Sequence, residues 1–155
     1  MKEKNYWLMK SEPDVYSMDD LKRDKTTYWD GVRNYQARNF LRDKMKKGDL
    51  AFFYYSNAEP SGIAGIVEIA QEGYPDPSAF QRSDVHFDPK STKEKPVWFA
   101  VEIRFVEKFN RLIPLEELRR TKGLEEMVLL KRGRLSVQPV RPEEWTRILN
   151  LGRGG

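Results

Sequence analysis

The chain has 155 residues, of which 39% are hydrophobic and 34% charged; 8 Phe, 7 Tyr and 4 Trp supply enough bulk for one core of ordinary density. There is no Cys, and His86 is the single His; disulfides, thiolate nucleophiles and Cys-ligated zinc drop out, and a His-based metal site or a Ser-His-Asp triad is disfavoured. Net charge is +4, mean hydropathy is −0.76, and no apolar run approaches the roughly 20 residues a membrane helix needs. Met1–Lys4 leads straight into a strand-like run with no secretory core, so the expected location is intracellular: cytoplasm or nucleoid in a bacterium, nucleus in a eukaryote.

In chain order, Tyr6–Lys10 reads as a first strand and Ser17–Leu21 as a short helix, with Ser17 as N-cap and an acidic first turn. Residues 35–47 have helical spacing, with Ala37, Phe40, Leu41 and Met45 on one face, Asn34 as N-cap and Gly48 as stop. That spacing places Arg38, Arg42 and Lys46 in a stripe on the opposite side, where a phosphate backbone could lie. Leu50–Ser56 is aromatic and strand-like. Gly62–Ala70 alternates, with Ile63, Gly65, Val67 and Ile69 on one side. Residues 73–96, rich in Pro, Asp and Ser, read as a long irregular excursion.

Val97–Val106 is the clearest strand, with Val97, Phe99, Val101, Ile103 and Phe105 on one face and Trp98, Glu102 and Arg104 on the other. Pro114 and Pro142 suit first-turn positions, opening helices at Leu115–Arg120 and Glu143–Leu151. Leu135–Val137 reads as a short closing strand. Five or six strands with short helices and no βαβ rhythm predict a mixed α+β chain built on a curved sheet or barrel. Residues 1–151 are expected to form a single domain and 152–155 a frayed tail.

Charge is uneven. Residues 33–47 hold Arg33, Arg38, Arg42, Lys44, Lys46 and Lys47 against Asp43; residues 119–134 hold Arg119, Arg120, Lys122, Lys131, Arg132 and Arg134 against Glu125 and Glu126. Each run alone reads as a solvated helix face; two together favour a polyanion partner.

The most informative motif is Trp29-Asp30-Gly31-Val32-Arg33-Asn34. Asp-Gly is turn-prone, so Trp29 belongs at a strand end, where it could stack on a base while Gly31 lets the backbone approach the base edge. It could equally plug the core. Lys10-Ser11-Glu12-Pro13 closes the first strand with a hydroxyl and a carboxylate, and Tyr54-Tyr55-Ser56-Asn57 closes another; both fit a base pocket or ordinary turn chemistry. Trp98 leaves the apolar stripe of its strand and is either a second pocket wall or packing beneath the excursion. Arg134–Pro139 offers Arg134 and Gln138, both capable of bidentate contacts. An enzyme would have to draw on Asp30, Glu12, Asp88 and His86, as in a metal-dependent nuclease or nucleotide hydrolase. An aromatic pocket could also serve a peptide-binding module.

Six blocks together resemble the EVE domain family: Trp7–Pro13, Trp29–Leu41, Phe52–Asn57, Gly62–Gly65, His86–Pro89 and Arg134–Pro139. The resemblance spans residues 7–139. It implies a PUA-like fold, a curved mixed sheet or pseudo-barrel with flanking helices, and kinship with YTH domains, which hold a methylated adenine in an aromatic cage. It implies a non-enzymatic reader of modified cytosine in DNA, or of a modified RNA base, without cofactor, metal, membrane or obligate protein partner. Trp29 would match a cage wall. Ser11 and Asn34 would contact the base edge; Lys10, Glu12, Asp30, Gly31, Val32, Tyr54, Ser56, Trp98 and Ser136 would complete the pocket. Arg33, Arg38, Arg42, Lys46, Arg132 and Arg134 would meet the phosphates.

Overall fold

A computed structural model describes residues 5–132 and 134–153. In chain order the elements are β1 (Tyr6–Ser11), α1 (Met18–Asp24), β2 (Thr26–Trp29), α2 (Tyr35–Asn39) with a π-helical continuation (Phe40–Lys44), β3 (Leu50–Tyr55), β4 (Gly62–Pro75), a 3₁₀ turn (Pro77–Phe80), β5 (Phe99–Pro114), α3 (Leu115–Arg120), α4 (Val128–Lys131), β6 (Val137–Val140) and α5 (Pro142–Arg153). One mixed sheet holds all six strands in the order β2-β5-β4-β3-β1-β6. β1 and β3 run parallel, Tyr6 opposite Leu50 through Ser11 opposite Tyr55; every other pairing is antiparallel. The sheet does not close: β2 and β6 are its edges, and no ladder joins β2 to β1.

Because β1 and β3 are apolar at consecutive positions, they bury both faces. Trp7, Met9 and Phe53 pack with Met18, Leu21, Leu41, Val101 and Ile103. Leu8, Phe52 and Tyr54 pack on the reverse with Phe109, Ile113, Leu118, Trp145 and Ile148. The Trp145 ring stacks on Phe52 at 3.9 Å between centroids.

α1 carries the expected cap. Ser17 Oγ accepts from the Asp20 amide, and the Asp20 carboxylate accepts from the Ser17 amide.

Several boundaries differ from the sequence reading. β4 does not keep one alternation, because its register shifts between Ile63 and Gly65 and again between Ile66 and Val67. Ile63 and Ile66 therefore face one core, and Val67 and Ile69 the other. The expected helix over 35–47 is α for five residues, then π through Lys44, and Met45 is already extended. β5 starts at Phe99, leaving Trp98 outside it, and runs on to Pro114, which caps α3 instead of opening its first turn. The closing strand lies at Val137–Val140 instead of 135–137. α5 continues through Gly152 and Arg153, where a frayed tail was expected; Gly152 is buried against the Phe109 ring. Residues 154 and 155 lie outside the described residues.

Candidate functional site

A cavity of about 610 Å³ opens beyond the ends of β1 and β2. The end of β1 supplies Lys10, Ser11 and Glu12 on one wall, and the end of β2 with its following turn supplies Thr27 through Arg33 on the other. α1 and the turn before it span the two walls. Ser56 after β3, Ser136 before β6 and His86 complete the lining.

Trp29 is the last residue of β2, opposite Val101 of β5. Its ring meets the buried Phe53 ring edge to face, 5.7 Å apart at 90°. It is thus braced against the core on one side and partly exposed to the cavity on the other.

Gly31 turns the chain at φ +75°, a conformation that disfavours any side chain. The His86 ring fills the space where a Cβ would stand, with Cε1 at 2.7 Å and Nε2 at 2.8 Å from that position. The Gly31 amide donates to Asp76 Oδ2 at 2.8 Å. Asp76, fully buried, also accepts from the Ser78 amide at 2.8 Å, Ser78 Oγ at 2.6 Å and Arg33 Nη1 at 2.9 Å. Burial opposes ionisation of Asp76, but the bonds from Ser78, Gly31 and Arg33 outweigh it and hold the carboxyl below its ordinary range. Arg33 reaches onward to the His86 carbonyl from Nε at 3.1 Å and Nη2 at 2.6 Å. Asp76 and Arg33 therefore knot the Trp29–Gly31 wall to the 76–98 excursion.

Ser11 and Asp30 bring hydrogen-bond acceptors to the cavity. Ser11 spends its hydroxyl proton on the Tyr16 carbonyl at 2.8 Å, leaving Oγ free to accept. Asp30 has its carboxyl raised by partial burial and by the neighbouring charge of Asp76. The Glu12 carboxylate accepts from Asn57 Nδ2 at 2.5 Å. Lys10 and Arg33 bring cations to the cavity wall; partial burial lowers the Lys10 pKa, and its ammonium lies 5.6 Å from the Tyr54 ring centre.

Three residues expected in the pocket stand elsewhere. Tyr54 points into the reverse core, where burial raises its hydroxyl pKa. Trp98 is buried, donates from Nε1 to Asp88 at 2.7 Å, and is flanked by Tyr35 and the Arg33 guanidinium. Asn34 caps α2 by accepting from the Ala37 amide at 3.0 Å. In the other direction, Val15, Tyr16, Thr27 and Tyr28 line the cavity and were not singled out from sequence.

The helix that would carry the basic stripe changes pitch after Asn39 and ends before Lys46. Arg38 donates to the Val97 carbonyl at 2.5 Å and lies over Tyr35. Arg42 pairs with Asp43 at 2.8 Å, and Lys46 with Glu72 at 3.8 Å. Arg33 is held by Asp76 and His86 and is not presented to a phosphate. Arg132 and Arg134 remain exposed, on the segment that leads to Ser136; Arg132 reaches Gln36 at 3.2 Å.

Of the residues an enzyme would use, Glu12, Asp30 and His86 line the cavity and Asp88 does not. Asp88 accepts from Trp98 and from the Lys90 amide, and Glu12 from Asn57. Among the described residues no group of three or more His, Cys, Asp or Glu side chains is placed to hold a metal ion, and no helix is long and apolar enough to cross a membrane.

The EVE domain family model matches residues 5–151. The chain belongs to the EVE domain family. Its fold is accordingly α+β and PUA-like. Mouse thymocyte nuclear protein 1 is 48% identical to it over 95% of this chain and 73% of that protein. Among solved EVE-type structures, a Pseudomonas syringae protein superposes with a TM-score of 0.90 at 50% identity, covering 94% of this chain and 98% of that one. Human THYN1 protein, solved in complex with 5-methylcytosine-containing DNA, superposes with a TM-score of 0.89 at 46% identity, covering 96% of this chain and 97% of that one.

Proposed function

We propose that this EVE domain is a non-enzymatic nucleic-acid reader that takes one extruded, modified base into the cavity beside Trp29, with 5-methylcytosine in DNA as the first candidate. The carrying observation is an open cavity with a partly exposed, core-braced Trp29 on one wall and the acceptors Ser11 and Asp30 beside it. The human relative solved with 5-methylcytosine-containing DNA supports the choice of ligand.

In this reading the base stacks on Trp29, and Ser11 Oγ and the Asp30 carboxylate accept from its exocyclic amine. Cytosine and adenine carry that amine; thymine presents a carbonyl there and would leave the acceptors unpaired. Arg132 and Arg134, beside Ser136, meet the phosphates in place of the helical stripe. Extruding the base costs a few kcal/mol, and stacking returns roughly 1–3 kcal/mol. One methyl group in a pocket discriminates by roughly 1–3 kcal/mol, so the domain prefers the modified base without excluding the plain one.

The test is a panel of single- and double-stranded oligonucleotides carrying cytosine, 5-methylcytosine or thymine at one position, read by fluorescence anisotropy. Trp29→Ala should weaken binding of the methylated probes by about fivefold to 150-fold while leaving the far-ultraviolet circular dichroism unchanged. Equal affinity in a folded Trp29→Ala protein would remove the reading.

A further inference from the structure

Five large apolar side chains are exposed among the described residues: Val15, Tyr28, Tyr35, Val85 and Val106. Two of them line the cavity and a third adjoins a residue that does. Val15, 73% exposed, and Tyr28, 64% exposed, line it directly; Val85, 92% exposed, is bonded to His86, which lines it. Val15 follows β1, whereas His86, next to Val85, packs on Gly31 beyond β2, so Val15 and His86 belong to opposite walls.

Both sit on braced backbone. The Val15 and Tyr16 amides each donate to the Glu12 carbonyl at 2.9 Å. Around Val85, the Asp84 amide donates to Gln81, the Phe87 amide to Asp84, and the His86 amide to the Asp84 carboxylate at 2.8 Å. Arg33 holds the His86 carbonyl from below. A β-branched residue held almost wholly in water on so constrained a turn contributes nothing to the core. It is also preorganised for an apolar surface that meets it from outside.

Resting on the reading of the cavity as a base pocket, we propose that Val85 is a wedge that enters the base stack of a duplex as the neighbouring base leaves it, with Val15 completing the rim on the far wall. A vacated position in a duplex is an apolar slot between two base faces, open toward the groove from which the protein approaches. Apolar side chains at such steps offset the cost of unstacking. A single strand has no such slot to fill. The occupant of this rim is therefore double-stranded nucleic acid, and the exposed Arg132 and Arg134 supply the opposite charge to its backbone.

The test compares one methylated strand alone with the same strand in a duplex, using wild type, Val85→Ser, Val85→Ile and Trp29→Ala. Val85→Ser should lose about tenfold in duplex affinity, the size set by burial of one valine side chain, and keep its single-strand affinity. Val85→Ile should retain duplex binding. Trp29→Ala should lose both. Equal effects of Val85→Ser on the two probes, or none on either, would overturn the wedge while leaving the base pocket standing if Trp29→Ala still loses both. If Trp29→Ala loses neither, the pocket reading fails and the wedge falls with it.

Discussion

Replacing Asp76 with Ala removes the acceptor of four hydrogen bonds at once, two of them from the backbone amides of Gly31 and Ser78. Breaking one side of a buried ion pair costs roughly 3–5 kcal/mol, and each orphaned amide roughly 1–3 kcal/mol more if water cannot reach it. The Arg33 side chain is 23% exposed while that of Asp76 is wholly buried, so water enters from the arginine side and relieves part of the loss. The expected net cost is about 3–5 kcal/mol. For a domain of this size that lowers the urea midpoint by roughly 2 M. Asp76→Asn, which keeps one carbonyl acceptor, should cost about half as much. Arg33→Ala should be far less damaging in the Asp76→Ala background than in wild type.

The pH dependence has a definite sign. The folded carboxyl lies below its unfolded value of about 3.9, so its stabilisation is complete above that value and fades as pH falls through the depressed folded value. The advantage of wild type over Asp76→Ala should shrink across that acid range and be flat near neutrality. The variant should also bind the methylated oligonucleotide more weakly, because Gly31 loses its tether even though Asp76 does not line the cavity. A stability loss below 1 kcal/mol, or strict additivity with Arg33→Ala, would refute the knot.

Two further substitutions probe the same wall. Gly31→Ala combines a positive φ with a Cβ that collides with the His86 ring; it should cost about 2–3 kcal/mol in urea unfolding, and adding His86→Ala should recover the steric share only. Asp30→Asn should stabilise the protein by a few tenths of a kcal/mol at neutral pH, the small size reflecting its exposure. Its raised carboxyl is penalised as pH rises from the unfolded value through the folded one, so the gain should vanish at low pH. The same change should weaken binding of cytosine-type probes severalfold. A destabilised Asp30→Asn that binds normally would contradict the acceptor role.

The sequence was most legible where local chemistry decides the outcome. The capping box at Ser17, the Asn34 cap and the strands at Tyr6 and Leu50 follow from residue type and spacing. The Trp29–Gly31 turn was placed at a strand end because Asp-Gly is poor strand material, although β2 itself, four residues long, gives no periodic signal. What escaped depends on residues far apart in the chain. Nothing near Arg33 announces that its guanidinium serves Asp76, 43 positions later. An Asp-Pro-Ser triplet does mark Asp76 as a cap of the turn that follows, which its bond to the Ser78 amide satisfies, and that was the available signal. Lys46 falls outside the helix because the pitch changes over Phe40–Lys44, which those residue types do not advertise. Tyr54 and Trp98 were drawn toward the pocket by their chemistry, while burial and the Asp88 carboxylate decided their positions.

The gap between the edge strands β2 and β6 leaves the chamber with two kinds of boundary. The ends of β1 and β2 that carry its walls are held at a fixed spacing by the ladders through β3, β4 and β5, whereas the turn over residues 12–17 crosses its rim without any ladder bond. A change of length in that turn would reshape the rim while every strand pairing stays as it is.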